Sequence, residues 1–264
     1  MMASESSPMR PRISSPCSLN SGARPGLAGD PARRRWLGLL PAWAGICYVA
    51  AWAAGLAAWP TNLALNATSA QVASAYRAHP AGAASQYLLS EGQAGLLLGL
   101  VLAAAVISGR DRGLARRWAP AAAAAGAVAI SLLQAALGMF LIAAATHHDI
   151  ARAGGLSDLV NRLDGVKMLA LAAIAACLSA RRTWDRRPPR WLRATAALAA
   201  AALAVSGLDY LLLANSLAWT VYISGPLLLA WIAATGIWLA RSSPAGGAGA
   251  PAWPRQVSAT CPGR

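Results

Sequence analysis

Charge is what this chain has least of: 12% of its 264 residues are charged, against 57% hydrophobic, and the mean hydropathy is +0.45. Soluble domains carry about a quarter charged residues. So little polar cover cannot shield this much alanine and leucine from water, whereas a bilayer solvates apolar helix faces directly. Cysteine is also scarce. Cys17, Cys47, Cys177 and Cys261 are isolated, without a CxxC pair, which argues against a disulfide framework or a zinc site. Cys47 and Cys177 fall inside apolar runs and are expected as small buried hydrophobes.

Histidine is rarer still. His79, His147 and His148 all lie outside the middle of the apolar runs, which disfavours bis-histidine haem ligation. No nucleophile elbow, phosphate loop, HExxH or dinucleotide-binding glycine pattern occurs in a suitable setting. The sequence therefore designates no cofactor, no metal and no catalytic residue.

What is present is arginine, and its placement is informative. The net charge of +14 would ordinarily raise nucleic acid as a partner. Here the basic residues sit in short clusters between apolar runs, as membrane-topology signals do. The expected partner is the lipid bilayer, with no nucleic acid involved.

A Ser/Pro/Gly/Arg-rich stretch at 1–32 reads as a disordered basic tail, and 242–264 as a second one. Between them, 33–241 reads as an all-α transmembrane bundle. Six spans are expected at about 36–58, 88–108, 119–145, 161–180, 194–214 and 218–240, each long enough to cross a ~30 Å hydrocarbon core. The first junction, Arg33-Arg34-Arg35-Trp36, looks like a twin-arginine export signal. An ordinary first span is the better account, because the apolar run exceeds a signal h-region and more spans follow. Residues 59–87 read as a polar loop, and a tight turn is expected near Asn215-Ser216.

With the N-terminus inside, the inner segments hold Arg33–Arg35, then Arg110, Arg112, Arg116 and Arg117. They also hold Arg181, Arg182, Arg186, Arg187, Arg190, Arg193 and Arg241, while the outer ones hold Arg77, Arg152, Arg162 and Lys167. The bias has one sign in every loop and predicts both termini in the cytoplasm of a bacterial inner membrane. Acids skew the other way, with Glu91, Asp149, Asp158, Asp164 and Asp209 all on the outer side.

Ionisable groups are costly in lipid, so they are the candidate solute- or proton-binding residues. Met168 to Ala180 is too short to span. The fourth helix must begin earlier and carry Asp164 and Lys167 into the outer quarter of the bilayer, where their i, i+3 spacing lets them pair. Asp158 and Arg162 can pair one turn above. Asp209 is expected about 9 Å below the outer surface, tied to Lys167, Arg162 or a histidine, or else serving a solute or proton. Glu91, beside Gln93, reads as an interfacial acid at a helix start. His147-His148-Asp149 closes the third span as a weaker metal or acid/base candidate, because adjacent histidines diverge on a helix.

The remaining features are structural. Gly95 and Gly99 make a GxxxG for close helix contact, Pro226 should kink the sixth span, and Trp36, Trp59, Trp118, Trp191 and Trp219 read as interfacial belts.

Pro189-Arg190-Trp191-Leu192, Gly225-Pro226 and Gly236-Ile237-Trp238-Leu239, with Asn161-Arg162-x-Asp164-Gly165-x-Lys167, resemble a family of uncharacterised bacterial membrane proteins of actinobacterial type, a domain of unknown function with about six spans. The resemblance spans residues 36–240 and implies the same architecture, with no activity, cofactor or catalytic residue to carry over. The residues favour a non-enzymatic protein that either moves a small solute or supports a membrane-protein partner. The alternative is a membrane-embedded enzyme whose Glu91, His147 or His148, and Asp164 or Asp209 converge at the extracytoplasmic face. Oligomeric state is left open.

Overall fold

The computed structural model describes residues 31–59, 63–108, 114–180, 188–214 and 216–242. The two tails, Cys17 and Cys261, the arginine clusters at 110–112 and 181–187, and Asn215 lie outside the described residues. About 90% of the described residues are helical, with no strand among them.

Five helices are long and apolar enough to cross a membrane, in the segments Gly38–Ala58, Pro80–Ile107, Trp118–Thr146, Arg190–Leu212 and Val221–Ser242. They belong to α1 (Pro31–Ala58), to α3 (Pro80–Gln86) continuing through a π-helical turn (Tyr87–Gln93) into α4 (Ala94–Ser108), and to α5 (Leu114–Thr146), α7 (Arg190–Leu212) and α8 (Val221–Ser242). Between α5 and α7 runs α6, Ile150–Ser179, whose 30 residues make it about 45 Å long. It carries Asp158, Arg162, Asp164 and Lys167 and is therefore less apolar than its neighbours. It nevertheless packs closely against α5 and α7, with Val160, Gly165, Lys167, Met168, Leu171 and Ile174 all buried.

The helices close into a ring. α1 touches α4 and α8, α4 touches α5, α5 touches α6, α6 touches α7, and α7 returns to α8. Large side chains such as Leu96, Leu132, Leu198 and Ile223 face outward, while Ala44, Ala94, Ala127, Ala175, Ala196 and Ala199 are buried. Trp231, Leu98, Leu102 and Leu203 are buried as well, so the interior mixes large and small side chains; lipid tails solvate the outer leucines, and the buried alanines let backbones approach. The GxxxG stripe does this for α4 and α5. A Cβ on Gly95 would come within 2.8 Å of the Ser131 Cβ, and one on Gly99 within 3.1 Å of Val128.

Four expectations are corrected. The expected loop at 59–87 holds two helices, α2 (Ser69–Ala78) and α3. A capping box starts α2, with Thr68 Oγ1 accepting from Gln71 N and Gln71 accepting from Thr68 N. The second candidate span thus begins at Pro80 rather than near 88, and the helix expected from about 161 begins at Ile150. Cys47 and Cys177 are exposed on the bundle's outer surface instead of buried. They are small enough to be packed, but their helix faces point away from the ring. Trp36, Trp118, Trp191 and Trp219 are exposed, whereas Trp59 is only 6% exposed. Its ring packs 4.5 Å from that of Tyr76, so α2 covers it.

Candidate functional site

Lys167 is 6% exposed and has two carboxylate partners. Its Nζ lies 2.7 Å from Glu91 Oε2 and 2.6 Å from Asp164 Oδ1. Asp164 is one helical turn before Lys167 on α6, the pairing that the i, i+3 spacing anticipates. Glu91 reaches across from the π-helical turn and is itself 9% exposed. Around this triad, Ser131 Oγ donates to Glu91 Oε2 at 3.0 Å. Gln134 Nε2 donates to Asp164 Oδ1 at 3.3 Å and to the Val160 carbonyl at 3.1 Å. Gln134 Oε1, likewise buried, has no partner among the described residues.

Lys167 is seventeen residues beyond Ile150, about 25 Å along α6 from its start. Glu91 is eleven residues beyond Pro80, about 16 Å along its own segment. Two carboxylates and one ammonium leave the triad with one excess negative charge when all three are ionised.

The triad borders a cavity of about 430 Å³, within the range of small-molecule pockets. All the long helices contribute. Tyr48 and Trp52 come from α1, Tyr87 and Glu91 from the π turn, Ser131 and Gln134 from α5. Asn161 of α6, Tyr210 of α7 and Ser224 of α8 also line it. At one end the cavity reaches Trp59, Leu63 and Tyr76, the end where α1 passes to α2. At the other it stops on Leu98, Leu171, Leu203 and Leu228, all members of the main buried cluster. The Tyr76 and Tyr87 hydroxyls hydrogen-bond at 2.8 Å above the triad, and burial holds the Tyr76 phenol above the ordinary tyrosine range.

The other candidates lie elsewhere. Asp209 is 3% exposed and is tied neither to Lys167 nor to Arg162 nor to a histidine. Its Oδ1 accepts from Leu217 N at 3.3 Å across the α7–α8 connection, and its Oδ2 has no partner among the described residues. Arg162, rather than pairing with Asp158, donates to the Leu211 carbonyl at 3.2 Å. Asp149 caps α6 by accepting from Arg152 N at 3.1 Å. His148, with a φ of 60°, turns the chain between α5 and α6 and hydrogen-bonds Arg77 of α2, while His147 has no place in the cavity lining. Among the described residues, no three His, Cys, Asp or Glu side chains gather as a metal group. Of the acids and histidines expected to converge, only Glu91 and Asp164 meet.

Tyr48, Ser131, Gln134 and Tyr210 escaped the sequence reading. Ser131 and Gln134 did carry a signal, because they stand at i, i+3 inside an apolar span, where polar side chains are placed to bond across helices. The π turn carries none. Such turns are rare and concentrate at functional sites, and this one presents Glu91 to Lys167 from a segment 76 residues away.

Comparison with protein-family models, with curated proteins and with solved structures finds no match. Its membrane-competent helices make the chain a multi-pass integral membrane protein.

Proposed function

We propose that the chain is a six-span bacterial inner-membrane protein that binds a small solute in its intramembrane cavity and moves it across the bilayer. The observation that carries this reading is the Glu91–Lys167–Asp164 triad on the wall of a cavity of about 430 Å³. Buried charge is costly in lipid and marks solute and proton pathways in membrane proteins. A purely structural bundle of this size has no need of both an ion triad and a cavity beside it.

In this reading α6 is the sixth span, its charges turned inward to the ring. Both termini are cytoplasmic, as the arginine bias favours. The cavity then opens extracytoplasmically, at the α1–α2 end, and is closed toward the cytoplasm by the Leu98–Leu171–Leu203–Leu228 floor. Its excess negative charge and its aromatic lining suit an amine better than a carboxylate. Glu91 and Asp164 release Lys167 in turn as a cationic solute takes its place, so substrate charge and the triad's internal pairing are exchanged at one site.

The test uses purified protein in lipid nanodiscs and follows the fluorescence of Trp52 and Trp59, which line the cavity. n-Butylamine should give a saturable change, n-butyrate none, and Glu91→Gln should abolish the response. Uptake of butylamine into proteoliposomes should require Glu91. A response that survives Glu91→Gln, or the same response to butyrate, overturns the reading.

A further inference from the structure

The wall between α1 and α8 differs from the rest of the ring. Near the arginine-rich end these helices are in backbone contact. A Cβ on Gly45 would lie 3.2 Å from Ala233 Cα and from the Ile232 carbonyl oxygen, and one on Gly236 would strike the Pro41 carbonyl. At the opposite end the cavity lies between them. Tyr48, Trp52 and Leu56 face it along one stripe of α1, and Tyr222, Pro226 and Leu229 along α8. Two of these lining residues also face the surroundings of the bundle, Leu56 at 46% exposure and Tyr222 at 66%. A residue that both lines a cavity and lies on the outer surface marks an opening in the wall. Gly225 stands in the same stretch, and a Cβ built there meets nothing within 4 Å. The two helices are thus closest where small residues meet, and the cavity lies between them at the other end.

We infer that the α1–α8 gap is a lateral portal, and that the solute is a single-chain amphiphilic amine entering from the outer leaflet. This rests on the cavity reading above and adds the substrate class and its route. The amine head is called for by the triad's excess negative charge and by two unpartnered buried acceptors on lining residues, Gln86 Oε1 and Gln134 Oε1. An ammonium group offers three donors and no acceptor, the complement of such a wall. The hydrocarbon tail is called for by the route. From the triad outward, the way between the helices passes Trp52, Leu229 and Leu56, an apolar path that leads into acyl chains, so the tail stays in lipid while the head reaches the carboxylates.

The experiment uses the full chain in phosphatidylcholine nanodiscs and dodecylamine carrying a diazirine near its tail end. Photolabelling that unlabelled dodecylamine competes away should fall on residues 52–56 and 222–229 and vanish in Glu91→Gln. Gly225→Leu should cut it at least tenfold by filling the gap. Gly126→Leu, at an equally open position on α5, should label like the native chain. Competed label on the floor leucines, or label unchanged by Gly225→Leu, overturns the portal and leaves the cavity reading standing. Absence of any Glu91-dependent response to both butylamine and dodecylamine overturns both.

Discussion

Lys167→Met should destabilise the protein far more than Glu91→Gln, although both variants break the same 2.7 Å ion pair. Removing the lysine leaves Glu91 and Asp164, both partners of one ammonium, as two largely buried carboxylates. Breaking a buried pair from one side costs about 3–5 kcal/mol, because the remaining charge has no compensation. Here two like charges remain. Removing the glutamate instead leaves Lys167 with Asp164, a neutral pair, and the new amide still accepts from Ser131 or Lys167. That loss should be near 1 kcal/mol, the usual value of one hydrogen bond. The gap of some 2–4 kcal/mol is readable in an SDS-unfolding titration in bicelles, where each 1.4 kcal/mol is about tenfold in the unfolding equilibrium. The double variant Lys167→Met/Glu91→Gln, with a single carboxylate left, should be more stable than Lys167→Met alone. Equal losses for the two single variants, or no recovery in the double one, would refute the charge balance described for the triad.

Two further outcomes follow from the packing. Gly165→Ala should cost about 2–4 kcal/mol and loosen α6 from α7, since its Cβ would lie 2.6 Å from the Gly207 carbonyl oxygen and 2.8 Å from Leu211 N, where only backbone movement relieves the overlap; the same titration reads it, and an Ala variant as stable as the native chain would contradict the contact. Asp209→Asn should leave both stability and butylamine response within error, because the amide oxygen still accepts from Leu217 N, whereas Asp209→Ala should lose about 1–2 kcal/mol with binding unchanged; a loss of binding in Asp209→Asn would place this carboxylate in the solute path.

The charges of the site were legible one by one, but their partners were only partly so. Asp164 and Lys167 stand out because they are ionisable within an apolar stretch, and their spacing alone brings them together. Glu91 stands out for the same reason, yet its partner depends on which face the second span turns to α6, and that face is set by a π turn without a sequence signature. Asp209 bonds a backbone N–H, not the charged side chain that its place in an apolar run suggests. A carboxylate near a chain reversal can bond a backbone N–H as readily as a side chain, and the choice rests on the turn's course through Leu217. Two local signals were within reach, the Thr68-x-x-Gln71 box that opens α2 and the Asp149 cap that opens α6. Once these helices are in place, the second candidate span and α6 both start earlier, and the triad lies well beyond either helix start. The exposure of Cys47 and Cys177 could not be read from composition, because in a bundle so rich in alanine either face accepts a small thiol.

The π turn at Tyr87–Gln93 has a consequence for the whole second span. It accommodates one residue more than an α-helix of the same rise, and each residue of α-helix turns the chain by about 100°. The stretch therefore sets the rotational phase between two surfaces. On one side Gly82 packs against the Ala58 carbonyl at the end of α1, and on the other Gly95 and Gly99 mesh with Ser131 and Val128 of α5. Deleting a single residue here would not shorten the span appreciably. It would swing the lower helix by a quarter turn or more, so that the glycine seam and Glu91 could no longer face their partners while Gly82 kept its own. The span is two rods joined by a fixed angular offset, and the triad exists only at that one setting.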